Sequence, residues 1–71
     1  MEKLRIGVIG VGARGMCNAR ALNARPDVEL VGTCDLRQCQ LDRCDQEGLA
    51  GQRFRDYREL LDQGLDAVCI N

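Results

Sequence analysis

Short apolar runs separated by polar stretches organise this chain. Leu4 to Ile9 (LRIGVI) is apolar and rich in β-branched residues, and it ends in a glycine cluster; together these mark a buried parallel strand. Ala13 to Arg25 predicts a helix closed by Pro26, because proline disfavours helical geometry in the residue before it. Val28 to Cys34 (VELVGTC) predicts a second strand, with Asp35 at its end. Leu36 to Glu47 predicts the next helix: Leu41 and Cys44 are three apart on one face, and Gly48 stands where it can end it.

Gly51 to Arg55 reads as a loop or a very short strand around Phe54. A short helix follows, with Asp56 as an N-cap accepting from the backbone N–H of Glu59, an apolar face from Leu60 and Leu61, and Gly64 to close it. Asp66 to Ile70 predicts one more buried strand. The order β-α-β-α-(β)-α-β implies an α/β fold built on a parallel sheet with right-handed crossovers.

Composition narrows the function classes. A chain of 71 residues has room for one small domain, which buries only about 60% of its unfolded surface. With 45% hydrophobic and 30% charged residues it is not a disordered tail or a low-complexity linker. Ten Lys and Arg spread along the chain against eleven Asp and Glu leave no electrostatic footprint for nucleic acid, and Phe54 and Tyr57 are the only aromatics available for base stacking. The longest apolar stretch, Val8 to Gly12, is far short of the ~18 residues of a membrane span. The N-terminus lacks a convincing signal-peptide cleavage site, so the expected compartment is the cytoplasm.

Five cysteines (Cys17, Cys34, Cys39, Cys44 and Cys69) cannot all pair, which disfavours a closed disulfide framework. Cys34, Cys39 and Cys44 are five apart, a spacing that fits neither paired zinc ligands nor an iron–sulfur site, and there is no His to complete one. The expectation is reduced thiols acting as small buried hydrophobes, with no metal.

The chemistry lies in Gly10-Val11-Gly12-Ala13-Arg14-Gly15, which fits G-x-G-x-x-G between a predicted strand and a predicted helix. The dinucleotide-binding fingerprint also needs an acid at the end of the next strand, about 20 residues on, and Asp35 stands there. Each glycine has its own task. Gly10 permits the tight turn out of the strand, Gly12 removes a side chain that would block a pyrophosphate, and Gly15 lets the helix pack close to the sheet. N–H groups near Ala13 and Arg14 then face the phosphates at the positive end of the helix dipole. Arg14 can add a full charge there, or stand as an ordinary solvated arginine of the first turn.

Asp35 can accept both ribose hydroxyls of an adenosine, an arrangement that a 2′-phosphate would oppose by charge repulsion, so NAD is expected over NADP. Its other role, capping the second helix, can coexist with that one. Arg37 argues the other way: it can pair with a 2′-phosphate or lie over the adenine, or simply face solvent.

The segments IGVIGVGARG, VELVGTCDLR, RFRDYRELLD and LDAVCIN, in this order, resemble the N-terminal half of the nucleotide-binding domain of the Gfo/Idh/MocA oxidoreductases, a family that includes glucose–fructose oxidoreductase and inositol dehydrogenases. The resemblance covers nearly the whole chain. Its most specific pieces are the glycine motif with Arg14-Gly15, the D-Y-R-E-L-L helix and the D-A-V-x-I strand. It implies a partial Rossmann fold, and it puts Asn71, at the end of a strand that leads toward the nicotinamide in that family, with the cofactor-binding positions. It also implies that the Thr-Pro turn, the Glu-Lys-Pro motif with the catalytic lysine and the substrate domain fall outside residues 1–71. Lys3, the only lysine, maps onto none of them. The expectation is therefore a fragment that carries no catalytic residue.

The function implied is NAD(P)-dependent oxidation at a hydroxyl-bearing carbon of a sugar or cyclitol, in a full-length protein compatible with a homo-oligomer. An NAD-dependent glycosidase of the same family and a non-catalytic NAD-sensing module are the alternatives.

Overall fold

A computed structural model describes residues 2–71. The strands are β1 (Leu4–Ile9), β2 (Val28–Cys34), β3 (Gln52–Phe54) and β4 (Ala67–Ile70); the helices are α1 (Ala13–Asn23), α2 (Gln38–Gln46) and α3 (Tyr57–Leu61). All strand pairings are parallel, in the order β3-β2-β1-β4. This is the first part of a Rossmann fold: from β1 the chain steps outward through β2 and β3, then returns to place β4 on the other side of β1.

One face of the sheet carries α1 and α2. Val8, Val11, Met16, Ala19, Leu30, Leu41, Cys44 and Leu49 form a continuous buried cluster there. Met16 and Ala19 belong to it because they lie three apart on α1, on the face turned to the sheet. On the opposite face, a Cβ at Gly7 or Gly32 would come within about 3.0 Å of the Leu60 methyls. The absence of side chains at these two strand positions lets α3 sit close on the sheet.

Pairing between β1 and β2 shifts by one residue: Ile6 faces Leu30, yet Gly7 faces Gly32. The extra residue, Val31, switches the phase of side-chain alternation. As a result Leu30 and Thr33, three apart, both serve the α1 and α2 side, where the Thr33 hydroxyl meets the Cys44 thiol at 3.5 Å.

Several boundaries differ from the sequence expectation, for local reasons. α1 stops at Asn23 rather than Arg25, because the chain tightens before Pro26 and the Arg25 N–H turns back to the Leu22 carbonyl. α2 begins at Gln38 rather than Leu36, because the Asp35 carboxylate takes the Arg37 N–H in a side-chain turn that competes with helix. Asp56 does cap α3, but its carboxylate accepts from Arg58 rather than Glu59, whose N–H goes to the Asp56 carbonyl. β4 begins at Ala67, one residue late, since Asp66 is held by Arg5 through both its backbone N–H and its carboxylate.

Burial of the cysteines is only partly as expected. Cys34 and Cys44 are buried and Cys69 is half-buried, but Cys17 and Cys39 are exposed. Cys17 follows the buried Met16 and so points away from the sheet; Cys39 lies in the first turn of α2, on the side away from Leu41.

Candidate nucleotide-binding site

The glycine turn leaves the C-terminal end of β1, the central strand, where the connection changes sides between β2 and β4. In open parallel sheets this switch point is where ligands bind. Gly10 has φ +84°, a conformation few side chains tolerate, which confirms the tight turn assigned to it. At Gly15 a Cβ would strike the Gly10 carbonyl oxygen, so this glycine sets the closeness of helix and sheet.

Gly12 differs from both. A Cβ there would meet nothing nearer than the Arg37 guanidinium, 3.9 Å away. The space is open, and it lies at the N-cap of α1, whose first turn contains no acid. Backbone N–H groups of Ala13 and Arg14 have no intrahelical acceptor at these positions, so the donors and the positive end of the dipole are available to an anion. Both residues are exposed.

Val11 plays a different part from its neighbours. Its side chain is fully buried in the core, and its N–H donates to Asp35 Oδ2 at 3.0 Å. Asp35 Oδ1 accepts the Arg37 N–H at 2.9 Å, while the Arg37 Nε stands 3.8 Å from the same oxygen. The Asp35 side chain is only 10% exposed, whereas that of Arg37 is 66% exposed and reaches over the glycine turn. The acid is thus a brace between the end of β2 and the turn, and each of its oxygens keeps lone-pair capacity for a further donor.

Asn71 closes the arrangement from β4. Its side-chain nitrogen donates to the carbonyls of Ile9 (3.2 Å) and Gly10 (3.1 Å), and its oxygen accepts from Asn18 at 2.6 Å. The structure therefore brings the glycine turn, Asp35, Arg37 and Asn71 to one end of the sheet.

A cleft of about 550 Å³ opens there, lined by Ile9, Gly10, Cys34, Asp35, Leu36, Arg37, Arg55 and Tyr57. Leu36, 80% exposed, and Tyr57, 53% exposed, give it apolar surface. Sequence reasoning did not single out Leu36, Arg55, Tyr57 or Asn18. Tyr57 carried a signal, as one of only two aromatics and the neighbour of a helix cap. Cys34 lies at the floor with its thiol pKa raised, first by burial and then by the carboxylates of Asp35, Asp56 and Glu59. Among the described residues no helix is long and apolar enough to cross a membrane, and no cluster of His, Cys, Asp and Glu could hold a metal ion.

Residues 4–71 match the family described as an oxidoreductase family with an NAD-binding Rossmann fold. The chain belongs to the Gfo/Idh/MocA oxidoreductase family. A glycosyl hydrolase family 109 protein of Stenotrophomonas maltophilia is 36% identical over 97% of this chain and 18% of its own length. An alpha-N-acetylgalactosaminidase of Shewanella oneidensis is 33% identical over 100% of this chain, again 18% of its own. In three dimensions, myo-inositol 2-dehydrogenase from Lactobacillus plantarum superposes with a TM-score of 0.84 and 32% identity, covering 97% of this chain and 21% of the enzyme. The chain thus spans about a fifth of the length of these relatives. It carries the first part of the NAD-binding Rossmann fold of an oxidoreductase family, and its residues fit that cofactor: an anion-ready helix start, an unfilled space beside it and an acid at the rim.

Proposed function

We propose that this chain is the first half of a dinucleotide-binding domain, and that the full-length protein holds NAD at this site to move hydride at a hydroxyl-bearing carbon of a sugar or cyclitol. The observation that carries the reading is the open space at Gly12, at the positive end of α1 and beside the braced Asp35. The Ala13 and Arg14 N–H groups would receive the pyrophosphate and the Arg14 side chain would add charge. Asp35 would accept ribose hydroxyls with its remaining lone pairs. Its negative charge opposes a 2′-phosphate, so NAD is preferred; Arg37 is the group that would favour NADP instead. Bound nicotinamide supplies the hydride chemistry, and the chain's part is to hold and orient it.

Likeness to myo-inositol 2-dehydrogenase supports a cyclitol substrate. A second reading, an NAD-dependent glycosidase, draws on the 36% identity to a glycosyl hydrolase. Titration of the full-length protein with NAD and NADP, followed by assays with inositols and with an aryl α-N-acetylgalactosaminide, separates them. Tighter binding of NAD and inositol-dependent NADH formation are expected. Release of the aryl alcohol without net NADH would favour the glycosidase, NAD binding without either turnover would leave a sensing module, and no binding of either dinucleotide would refute the assignment.

A further inference from the structure

The Gly10 carbonyl and the Val11 N–H belong to one peptide group, and both its ends are held by side chains. The carbonyl receives Asn71 Nδ2 at 3.1 Å, and the N–H donates to Asp35 Oδ2 at 3.0 Å. The orientation of the Asn71 amide follows from chemistry. The Ile9 and Gly10 carbonyls can only accept, so the nitrogen must face them. The oxygen then meets Asn18 Nδ2 at 2.6 Å. Both hydrogens of the Asn71 nitrogen are thereby used, and none is left to donate to a ligand.

We propose that Asn71, aligned by Asn18, is a positioning residue for the phosphate-binding turn and acts through the Gly10 carbonyl rather than on the cofactor itself. The inference rests on the nucleotide reading above. Gly10 gives wide freedom to the torsion on its own side of this peptide, whereas the buried, β-branched Val11 restrains the other side, so the departure open to the turn is a tilt of the peptide plane. Such a tilt would take the Val11 N–H off Asp35 and shift the turn that leads into Gly12 and the Ala13 and Arg14 N–H groups. Those donors would then no longer converge on a phosphate. Asn71 opposes that state by giving the carbonyl two-sided confinement: the amide on one side and Gly15, whose missing Cβ makes the room, on the other.

The test compares full-length wild-type, Asn71→Ala and Asn18→Ala proteins in titrations with NAD, ADP and adenosine, beside hydrogen exchange of the Val11 amide in the free protein. Asn71→Ala is expected to weaken NAD and ADP in parallel by roughly tenfold, the worth of a lost hydrogen bond or two, and to leave adenosine unchanged. Asn18→Ala should show the same pattern more weakly, and the Val11 amide should exchange roughly tenfold faster in Asn71→Ala. Weakening of NAD alone would overturn the inference by showing direct contact beyond the diphosphate. Equal loss for all three ligands, or none, would overturn it too. If the wild-type protein binds none of them, the nucleotide reading fails; the exchange of Val11 still decides whether Asn71 holds the turn.

Discussion

Asn71 and Asp35, just past the ends of two different strands, grip the two ends of the single peptide group that joins Gly10 to Val11. One follows β4 and the other follows β2, so the turn between them takes its shape from both neighbours of the central strand. A glycine-rich turn is flexible by composition. Here it is made definite by side chains that arrive from elsewhere in the sequence.

The open space at Gly12 predicts a clean separation of binding from folding. Gly12→Val should weaken NAD by at least about a hundredfold, because the branched side chain fills space the pyrophosphate needs. The circular dichroism spectrum should remain that of the parent, since beyond its chain neighbours the new Cβ would meet nothing nearer than the Arg37 guanidinium at 3.9 Å. Unchanged affinity would make this glycine irrelevant to the ligand.

Gly15 should behave in the opposite way. Gly15→Ala drives a methyl against the backbone carbonyl of Gly10, and backbone cannot yield as a flexible side chain can. A loss of about 1–3 kcal/mol is expected, visible as a fall in the Tm of the full-length protein. A variant with parental Tm would show that helix and strand can separate without cost.

Asp56 gives the chain an acid-sensitive helix cap. Its pKa is lowered, first by the side-chain hydrogen bond from Arg58 and then by the Arg58 backbone N–H. A folded-state pKa below the unfolded value of about 3.9 means that the contribution is complete above that pH and is lost as pH falls through the folded value. Asp56→Ala should therefore lower Tm by a few degrees at pH 7 and by progressively less below about pH 4. A Tm difference that stays constant down to strong acid would show that the carboxylate charge is not what stabilises α3.

Thiol labelling should divide the cysteines by position. Cys17 and Cys39 are exposed and should react first in the folded protein, while Cys34 and Cys44 should wait for unfolding. Cys34 is slowed further because burial raises its pKa and so depletes the reactive thiolate. Fast native labelling of Cys44 would contradict the core described for α2.

The parts of this fold that could be read from sequence are those set by local pattern. Strand β2 runs from Val28 to Cys34 as its apolar content predicts, and G-x-G-x-x-G falls between β1 and α1 with Asp35 at the next strand end. Less legible were choices between competing local bonds and features decided by distant partners. The pattern around Leu36 does not settle that Asp35 spends a lone pair on the Arg37 N–H, two residues on, and delays α2. Nor does the sequence around Val31 reveal the register shift that brings Thr33 to Cys44. In the site, the glycines and Asp35 could be assigned from spacing, whereas Asn18 could be linked to Asn71 only by seeing β4 beside α1.

Arg5 on β1 holds the carbonyls of Gln63 and Gly64 and the carboxylates of Glu29 and Asp66, tying the first strand to β2 and to the turn before β4. In order of synthesis β1 precedes both of its partner strands and is satisfied only when they arrive. Its pairing with β2 closes a loop of about 24 residues, as from Leu4 to Val28, and its pairing with β4 one of about 61, as from Ile6 to Ala67. Contacts so far apart in sequence form late, so β1, α1 and β2 are free to assemble as an early unit while β4 is still being translated. The hydrogen bond from Asn71 to Gly10 then belongs to the docking of β4. The nascent chain would acquire its strand–helix unit before it acquires a phosphate-binding turn of fixed shape.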